Sequence, residues 1–313
     1  MQRISVAQLF EDNREKLGLL WIAGRDGGIR QLDTSSLRGL HEGLIGHLNF
    51  IHPNWIQVFA RPELEYLERL EPAQRLQMLQ PLVETGLACM IVAGDEGVPA
   101  HLAALADEMH VALFTSPRES LEMMSLLRPY LARALGESTT VHGVVLDVLG
   151  VGVMITGDSG VGKSELALEL ISRGSGFIAD DVIELHRLGP ETLEASCPPM
   201  LRDFLEVRGL GVLNIRTIFG ESSLRPRKNL NLIVNLEKPG GADTSYVERL
   251  PLKPGREEIM GVRVSKVTIP VAAGRNLAVL VEAAVRNYVL QMRGMDSTRE
   301  FIARQAQQIA KDE

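Results

Sequence analysis

Short apolar runs alternate with helical hydrophobic spacing through the first part of the chain. Each apolar run ends at Gly, Pro, Ser or charged residues, which is typical of buried strands. The strand candidates are residues 19–23, 55–59, 88–92 and 111–114, and the helix candidates, each starting at a proline, are 62–70, 72–85 and 99–109. Proline suits a first helical turn. This alternation predicts an N-terminal α/β domain over residues 1–135 with a largely parallel sheet.

A long helix is predicted over residues 116–135, because its apolar positions return to one face at helical spacing. Those positions are Leu121, Met124, Leu127 and Leu131. The small polar residues 136–140 that follow predict a linker. A second domain, 141–313, then opens with strand candidates 143–149 and 152–156, which Gly150 joins as a hairpin.

A glycine-rich loop follows this hairpin and matches the phosphate-binding pattern GxxxxGK[ST]. Its residues are Gly157, Asp158, Ser159, Gly160, Val161, Gly162, Lys163 and Ser164. An apolar strand precedes the loop, and a helical pattern over 165–173 follows it, as that motif requires. Glycines let the backbone amides point at phosphate oxygens, Lys163 adds a positive charge, and the Ser164 hydroxyl suits Mg²⁺. The loop therefore predicts ATP binding and phosphate transfer.

Two adjacent carboxylates, Asp180 and Asp181, end the next strand candidate, 176–182. In a P-loop enzyme one such carboxylate can hold the metal while the other accepts a proton from the attacking hydroxyl. Neighbouring residues of an extended chain point to opposite sides. We therefore expect only one of the two to face the nucleophile.

Composition narrows the classes of function. The 313 residues are 45% hydrophobic, as in an ordinary globular protein. Their net charge of -7 argues against a general nucleic-acid binder, because such proteins need positive charge to attract phosphates. No apolar run approaches the ~20 residues that span a bilayer, so we expect no membrane insertion. Cys89 and Cys197 stand apart without a metal-binding pattern, which favours a cytoplasmic protein without a disulfide framework.

The ordered motifs resemble the HPr kinase/phosphorylase family, whose members act on the phosphocarrier protein HPr. The resemblance rests on the segment 141–143, the phosphate-binding loop, the IADD strand 178–181, and two further segments. The first comprises Leu205, Glu206, Val207, Arg208, Gly209, Leu210, Gly211, Val212, Leu213 and Asn214. The second comprises Pro270, Val271, Ala272, Ala273, Gly274 and Arg275, before Asn276.

The resemblance implies a role for single residues. Asp181 matches the family's catalytic aspartate, a general base for the kinase reaction and a general acid in the reverse. His142 and Lys163 match active-site positions. Glu206 matches the second magnesium-binding position beside Ser164.

The resemblance also assigns a role to Arg249, which matches a catalytic arginine that stabilises the transferred phosphoryl group. Residues 270–275 match the loop associated with dephosphorylation. Two departures are visible: Ala272 and Ala273 stand where the family often has arginine and proline, and residues 246–248 differ from the usual spacing before the arginine.

For the whole protein, the resemblance implies a P-loop kinase domain with a mixed, phosphoenolpyruvate-carboxykinase-like sheet. It implies Mg²⁺ as cofactor and ATP, pyrophosphate and inorganic phosphate as substrates. It also implies HPr as the protein partner and a homo-hexamer. The N-terminal domain would be regulatory.

Two other classes share some of these features. A small-molecule kinase or a phosphoenolpyruvate-carboxykinase-like enzyme would have the same loop and acids. A non-catalytic, ATP-responsive regulator would use nucleotide binding to switch its oligomeric state. The presence of Asp181, Glu206 and Arg249 with one phosphate loop favours an enzyme over the regulator.

Overall fold

The chain folds into two compact units, Met1–Gly136 and Glu137–Glu313. The computed structural model describes residues 3–33, 43–50, 53–238, 255–272 and 274–312. Within these ranges, no helix is both long and apolar enough to cross a membrane.

Over its described residues, the first unit contains a five-stranded sheet and five α-helices. Its elements are β1 (Arg3–Ser5), α1 (Val6–Leu17), β2 (Leu20–Ala23), β3 (Gln31–Asp33), β4 (Gly43–His47), β5 (Asn54–Phe59), α2 (Arg61–Glu68), α3 (Pro72–Glu84), β6 (Cys89–Ala93), α4 (Ala100–Glu108), β7 (Ala112–Ser116) and α5 (Ser120–Leu135). The strand order is β2-β7-β6-β5-β4. Only β2 runs antiparallel, against β7. The predicted largely parallel sheet is confirmed.

Helices cover both faces of this sheet, so its strands are apolar on both sides. Helices α1 and α5 pack on one face, where Cys89 and Ile91 of β6 also lie. Helices α2, α3 and α4 pack on the other face, with Met90 and Val92. The alternation along β6 follows from the two-residue repeat of a strand.

Helix α5 differs from its predicted start. Ser116 stays in β7 and the helix begins at Ser120, because the residue before Pro117 is disfavoured in helical geometry. Met124, Leu127 and Leu131 are buried as predicted, but Leu121 is exposed. Leu121 lies in the first turn, at the border of the apolar face.

The second unit contains a seven-stranded mixed sheet. Its elements are β8 (Ser138–Val148), β9 (Val151–Gly157), α6 (Lys163–Ser172), β10 (Gly176–Gly189), β11 (Thr192–Ser196), β12 (Phe204–Val207), β13 (Gly211–Asn214), α7 (Ile215–Phe219), β14 (Arg227–Glu237), β15 (Gly255–Ile259), β16 (Val262–Pro270), α8 (Leu277–Met292) and α9 (Ser297–Asp312). The order is β11-β10-β8-β9-β14-β16-β15, and β11 also pairs with β14. Strands β9, β14 and β16 are parallel, while β8, β10, β11 and β15 pair antiparallel.

The predicted hairpin corresponds to β8 and β9. Val148 pairs with Val151, and the two turn residues Leu149 and Gly150 have φ of 54° and 86°. Positive φ at both positions is the geometry of a tight type I′ turn. Residues 138–140, which we assigned to a linker, form the start of β8, because β10 is long enough to pair with them.

Helices α6 and α8 provide the apolar layer behind the phosphate loop. On α6 the predicted face is buried: Leu166, Ala167, Leu170 and Ile171. On α8, Val281 and Val285 join the same core. Helix α9 is capped by Asp296, whose Oδ1 accepts from the N–H groups of Thr298 and Arg299 at 3.1 Å each. The apolar core that α6 and α8 share with the sheet holds the start of α6 in place.

Candidate active site

The phosphate-binding loop joins the end of β9 to the start of α6. Gly157 has φ of 135°, and a Cβ there would lie 2.4 Å from the Leu236 carbonyl oxygen of β14. Any larger residue would push the loop away from the sheet. Gly162 is the N-cap of α6 with φ of 100°. The loop amides therefore lie at a helix N-terminus, the arrangement that favours bound phosphate.

Lys163 bends back over this loop. Its Nζ donates hydrogen bonds to the carbonyl oxygens of Gly157 at 2.9 Å and Asp158 at 3.0 Å. The ammonium group is thus held at the mouth of the loop, where phosphate oxygens would lie. A flexible lysine can exchange these carbonyl contacts for a phosphate.

Asp180 connects three parts of the site. Ser164 Oγ donates to Asp180 Oδ1 at 3.4 Å, and the Glu206 backbone N–H donates to Oδ2 at 3.0 Å. The residue is only 8% exposed. Burial raises the pKa of the Asp180 carboxyl, while the hydrogen bonds from the Glu206 and Asp181 backbone N–H groups act in the opposite direction. Asp180 was predicted only as one of a pair, and its contact with Ser164 is new.

Asp181 faces the other way. Its side chain is 77% exposed, and its backbone has φ of 64°. A left-handed conformation is uncommon for a residue other than glycine, although Asp and Asn tolerate it best. Such residues often occur at functional sites. The two carboxylates therefore differ in environment, since Asp180 is buried and Asp181 is exposed to solvent.

His142 lies beside Asp181. Its Nδ1 is 3.5 Å from Asp181 Oδ1 and 3.1 Å from the Asp181 backbone oxygen. Pairing of β8 with β10 sets this approach, because His142 lies opposite Val182 in the ladder. The two residues are 39 positions apart in sequence, and the sheet brings them together.

Glu206 and Arg208 belong to the β12–β13 hairpin. Val207 pairs with Gly211, so Arg208, Gly209 and Leu210 form its turn. A Cβ built on Gly160 would lie 3.4 Å from Arg208 Nη1. The guanidinium is thus next to the phosphate loop, and the segment 205–214 flanks that loop.

The segment 270–275 starts at the same sheet edge as the phosphate loop. Leu236 of β14 pairs with both Gly157 and Ile269 in parallel ladders. The Val271 N–H donates to the Glu237 carbonyl at 2.8 Å. Carboxyl ends of parallel strands meet at one edge, where α/β proteins bind ligands. Ala273 and Arg249 lie outside the described residues.

The oxygen donors at this edge fit Mg²⁺. Across the described ranges no three His, Cys, Asp or Glu side chains gather as a metal site. Mg²⁺ in phosphate-transfer sites uses one or two protein oxygens together with phosphates and waters. The Ser164 hydroxyl beside the Asp180 carboxylate offers that donor set.

Comparison with known proteins gives consistent matches over both units. The family model described as HPr Serine kinase N terminus matches residues 4–131, and the HPr Serine kinase C-terminal domain matches residues 133–305. An HPr kinase/phosphorylase of Nitrosomonas europaea is 57% identical, over 99% of this chain and 96% of that protein. One from Chromobacterium violaceum is 53% identical, over 97% of this chain and 95% of that protein. A solved structure of the Hpr(Ser) kinase/phosphatase from Coxiella burnetii is 36% identical, covers 52% of this chain and 98% of that one, and has a TM-score of 0.46.

Proposed function

This chain belongs to the HPr serine kinase/phosphorylase family, and on that basis we propose that it phosphorylates a serine of HPr with ATP and reverses that reaction by phosphorolysis. The observation that carries the proposal is the juxtaposition of the phosphate loop with two differently placed carboxylates, Asp180 and Asp181. Family membership supplies HPr as the substrate. The protein is an enzyme that uses ATP.

In the kinase direction, the loop amides and Lys163 hold the β- and γ-phosphates. Asp181, exposed at the end of the site, accepts the proton of the serine hydroxyl as that oxygen attacks the γ-phosphorus. The bond from the γ-phosphorus to the bridging oxygen breaks, and ADP leaves. In such transfers most of the rate enhancement comes from positioning the reactants and from stabilising the charge of the transition state.

In the reverse direction, inorganic phosphate occupies the same loop and attacks phosphoserine. A protonated Asp181 returns its proton to the serine oxygen, which gives free HPr and pyrophosphate. Pyrophosphate can serve as phosphate donor by the same route in the forward direction. One site thus carries both activities, and His142 next to Asp181 holds that carboxylate in place.

Ser164 and Glu206 are the residues that would hold Mg²⁺, with Asp180 beside Ser164 as a supporting carboxylate. The ion would neutralise charge on the phosphates as the phosphoryl group moves. Because Asp180 also binds the Glu206 backbone, it fixes the spacing between the two candidate ligands. Arg208 at Gly160, and Arg249 by family resemblance, add positive charge around the phosphates.

Further properties follow from the family resemblance. We propose a homo-hexamer, a cytoplasmic location, a regulatory role for the first unit, and a role in dephosphorylation for residues 270–275. Ultracentrifugation tests the first of these properties directly.

Substitution of Asp180 by Asn is expected to raise the Mg²⁺ concentration that the kinase reaction requires. Asn keeps the shape and one acceptor oxygen but loses the charge beside Ser164. Loss of such a supporting group typically lowers metal affinity by about 10–100-fold. Titration of kinase activity with Mg²⁺ measures the shift, and metal-free nucleotide binding should be unchanged.

A matched control removes another largely buried carboxylate of the same unit, Asp147, whose side chain is 13% exposed. Asp147 accepts from Lys228 Nζ at 2.9 Å, so Asp147→Asn also removes a paired carboxylate. This control should keep the Mg²⁺ dependence of the parent. An unchanged Mg²⁺ titration in Asp180→Asn would contradict the supporting role.

The function itself is tested with purified HPr. ATP, pyrophosphate or phosphate is supplied separately with Mg²⁺, and HPr or phosphoserine-HPr is analysed by intact mass. We expect HPr to gain one phosphate with ATP or pyrophosphate, and phosphoserine-HPr to lose it with phosphate. ATP turnover that leaves HPr unmodified would favour a small-molecule kinase, and ATP binding without turnover would favour a regulator.

A further inference from the structure

The first unit contains a crevice that the proposed reaction does not use. It lies where β6 and β7, adjacent parallel strands, end at the same edge of the sheet. The chain leaves β6 for α4, on the face that carries α2 and α3, whereas it leaves β7 for α5, on the face that carries α1. Connections that depart to opposite faces open a crevice between them. In α/β sheets such a switch point is the usual place for a ligand.

A cavity of about 460 Å³ occupies this point. Its walls include the end of α1, the start of β2, and the loops after β6 and β7. Residues that matter for its chemistry are Arg14, Glu15, Leu20, Asp95, Glu96 and Pro117. The volume is in the range of pockets that hold small molecules.

Hydrogen bonds tie the walls of the crevice together. The Gly94 N–H after β6 donates to the Arg118 carbonyl after β7 at 2.8 Å. Buried Ser116 donates from Oγ to the Leu17 carbonyl at 2.7 Å, and Arg118 Nε donates to the Lys16 carbonyl at 3.0 Å. Three separate segments are therefore held in fixed positions, and the crevice is preformed.

The charged residues that line the cavity indicate which class of ligand it can bind. Three carboxylates, Glu15, Asp95 and Glu96, and one guanidinium, Arg14, line the cavity, and Arg61 interacts with Glu96, so the group as a whole keeps a net negative charge. This excess of negative charge disfavours phosphates and other anions. A metal ion is also disfavoured, because in the described part of the chain no three acidic, His or Cys side chains gather as a metal site. The net negative charge therefore favours an organic cation over an organic anion.

We propose that this crevice binds a small organic molecule with a primary ammonium group and an apolar body. The ammonium lies at Asp95 and Glu96, in the loop after β6. The apolar body lies against Leu20 and Pro117, which also line the cavity. Glu96 also interacts with Arg61, so Asp95 is the first contact. Such a site gives the first unit a ligand of its own.

The test uses two probes of similar size and opposite charge, 3-methylbutylamine and 3-methylbutanoate. Saturation-transfer NMR on the full chain reports which probe binds and with what affinity. We expect the amine to bind and the acid not to bind. Equal binding of the two probes, or no binding of the amine, would overturn the proposal.

Variants locate the binding. The double variant Asp95→Asn/Glu96→Gln removes two exposed charges from a loop and should weaken amine binding at least about tenfold, because the ammonium group loses both of its carboxylate partners. The control Glu84→Gln/Glu108→Gln neutralises two carboxylates at the ends of α3 and α4, at the opposite sheet edge. It should bind the amine like the parent. Equal affinities in both double variants would disprove the site.

Amine binding at the crevice can be tested independently of the kinase reaction. The crevice residues all lie in the first unit, whereas the phosphate loop lies in the second. Failure of amine binding would leave HPr phosphorylation untouched, and failure of HPr phosphorylation would leave amine binding untouched.

Discussion

Asp181→Asn is expected to remove both the kinase and the phosphorolysis activity while nucleotide binding survives. The carboxylate is the proposed proton acceptor in one direction and the proton donor in the other, and an amide can do neither. Loss of a positioned acid or base typically costs about 10²–10⁴-fold in rate. Intact-mass assays with HPr and phosphoserine-HPr measure the two directions, and calorimetric titration measures nucleotide affinity.

Asn is a better substitution than Ala at this position because of the left-handed backbone conformation of Asp181. Asp181 has φ of 64°, and Asn adopts this left-handed region more readily than Ala does. Activity lost in Asp181→Asn would therefore reflect lost proton transfer, whereas Ala would add backbone strain. The exposed side chain contributes little to packing, so the melting temperature should stay near that of the parent.

A second exposed His–Asp pair in the chain provides the control. His110 Nδ1 lies 3.4 Å from Asp26 Oδ2 in the first unit, which closely resembles the pair formed by His142 and Asp181. Asp26→Asn should keep both activities. Full kinase activity in Asp181→Asn would rule out its role as base.

Lys163→Met is expected to have the other large effect. Met preserves length and flexibility but removes the ammonium group that the loop carbonyls hold at 2.9 and 3.0 Å. This charge is needed most as the phosphoryl group moves, and one such donor is typically worth about 10²–10³ in rate. We expect kcat to fall by at least that factor and ATP affinity to fall with it.

Lys266→Met is the matched control for loss of a lysine. Lys266 Nζ pairs with Glu257 at 2.8 Å on neighbouring strands of the same unit, outside the phosphate loop. Its kcat and ATP affinity should match the parent. If Lys163→Met retained parental kcat, Lys163 would serve the loop structure and not the phosphate.

Several helices and strands could be predicted from the sequence because their formation depends on neighbouring residues of the chain. Period-two and period-3.6 patterns located β5, β6, β7, α3 and α4 to within one or two residues. Helix α1 was missed, although Ser5 caps it and Gly18 ends it in a left-handed conformation. Those two capping signals are present in the sequence and could have revealed the helix.

The order of the strands and the full length of β8 could not be predicted, because they depend on pairing with segments far away in the sequence. Strand β14 lies between β9 and β16 in the interior of the sheet, yet long stretches of chain separate its sequence from both of them. The first residues of β8 look like a polar linker and are strand only because β10 extends to pair with them. Pairing over such separations leaves no local pattern.

By itself, the sequence predicted a binding site for nucleotide phosphates, because eight consecutive residues carry the glycines, the lysine and the hydroxyl in fixed spacing. It also placed two acids in the next strand, although it ended that strand at 182, whereas β10 runs on past them to Gly189 because its later residues pair with the start of β8. The different surroundings of the two acids were decided by the tertiary structure alone. Pairing and packing bury Asp180 against Ser164 and the backbone of Glu206, and the ladder to β8 leaves Asp181 exposed beside His142. These contacts join residues up to 39 positions apart, and only the folded sheet brings such residues within hydrogen-bonding distance.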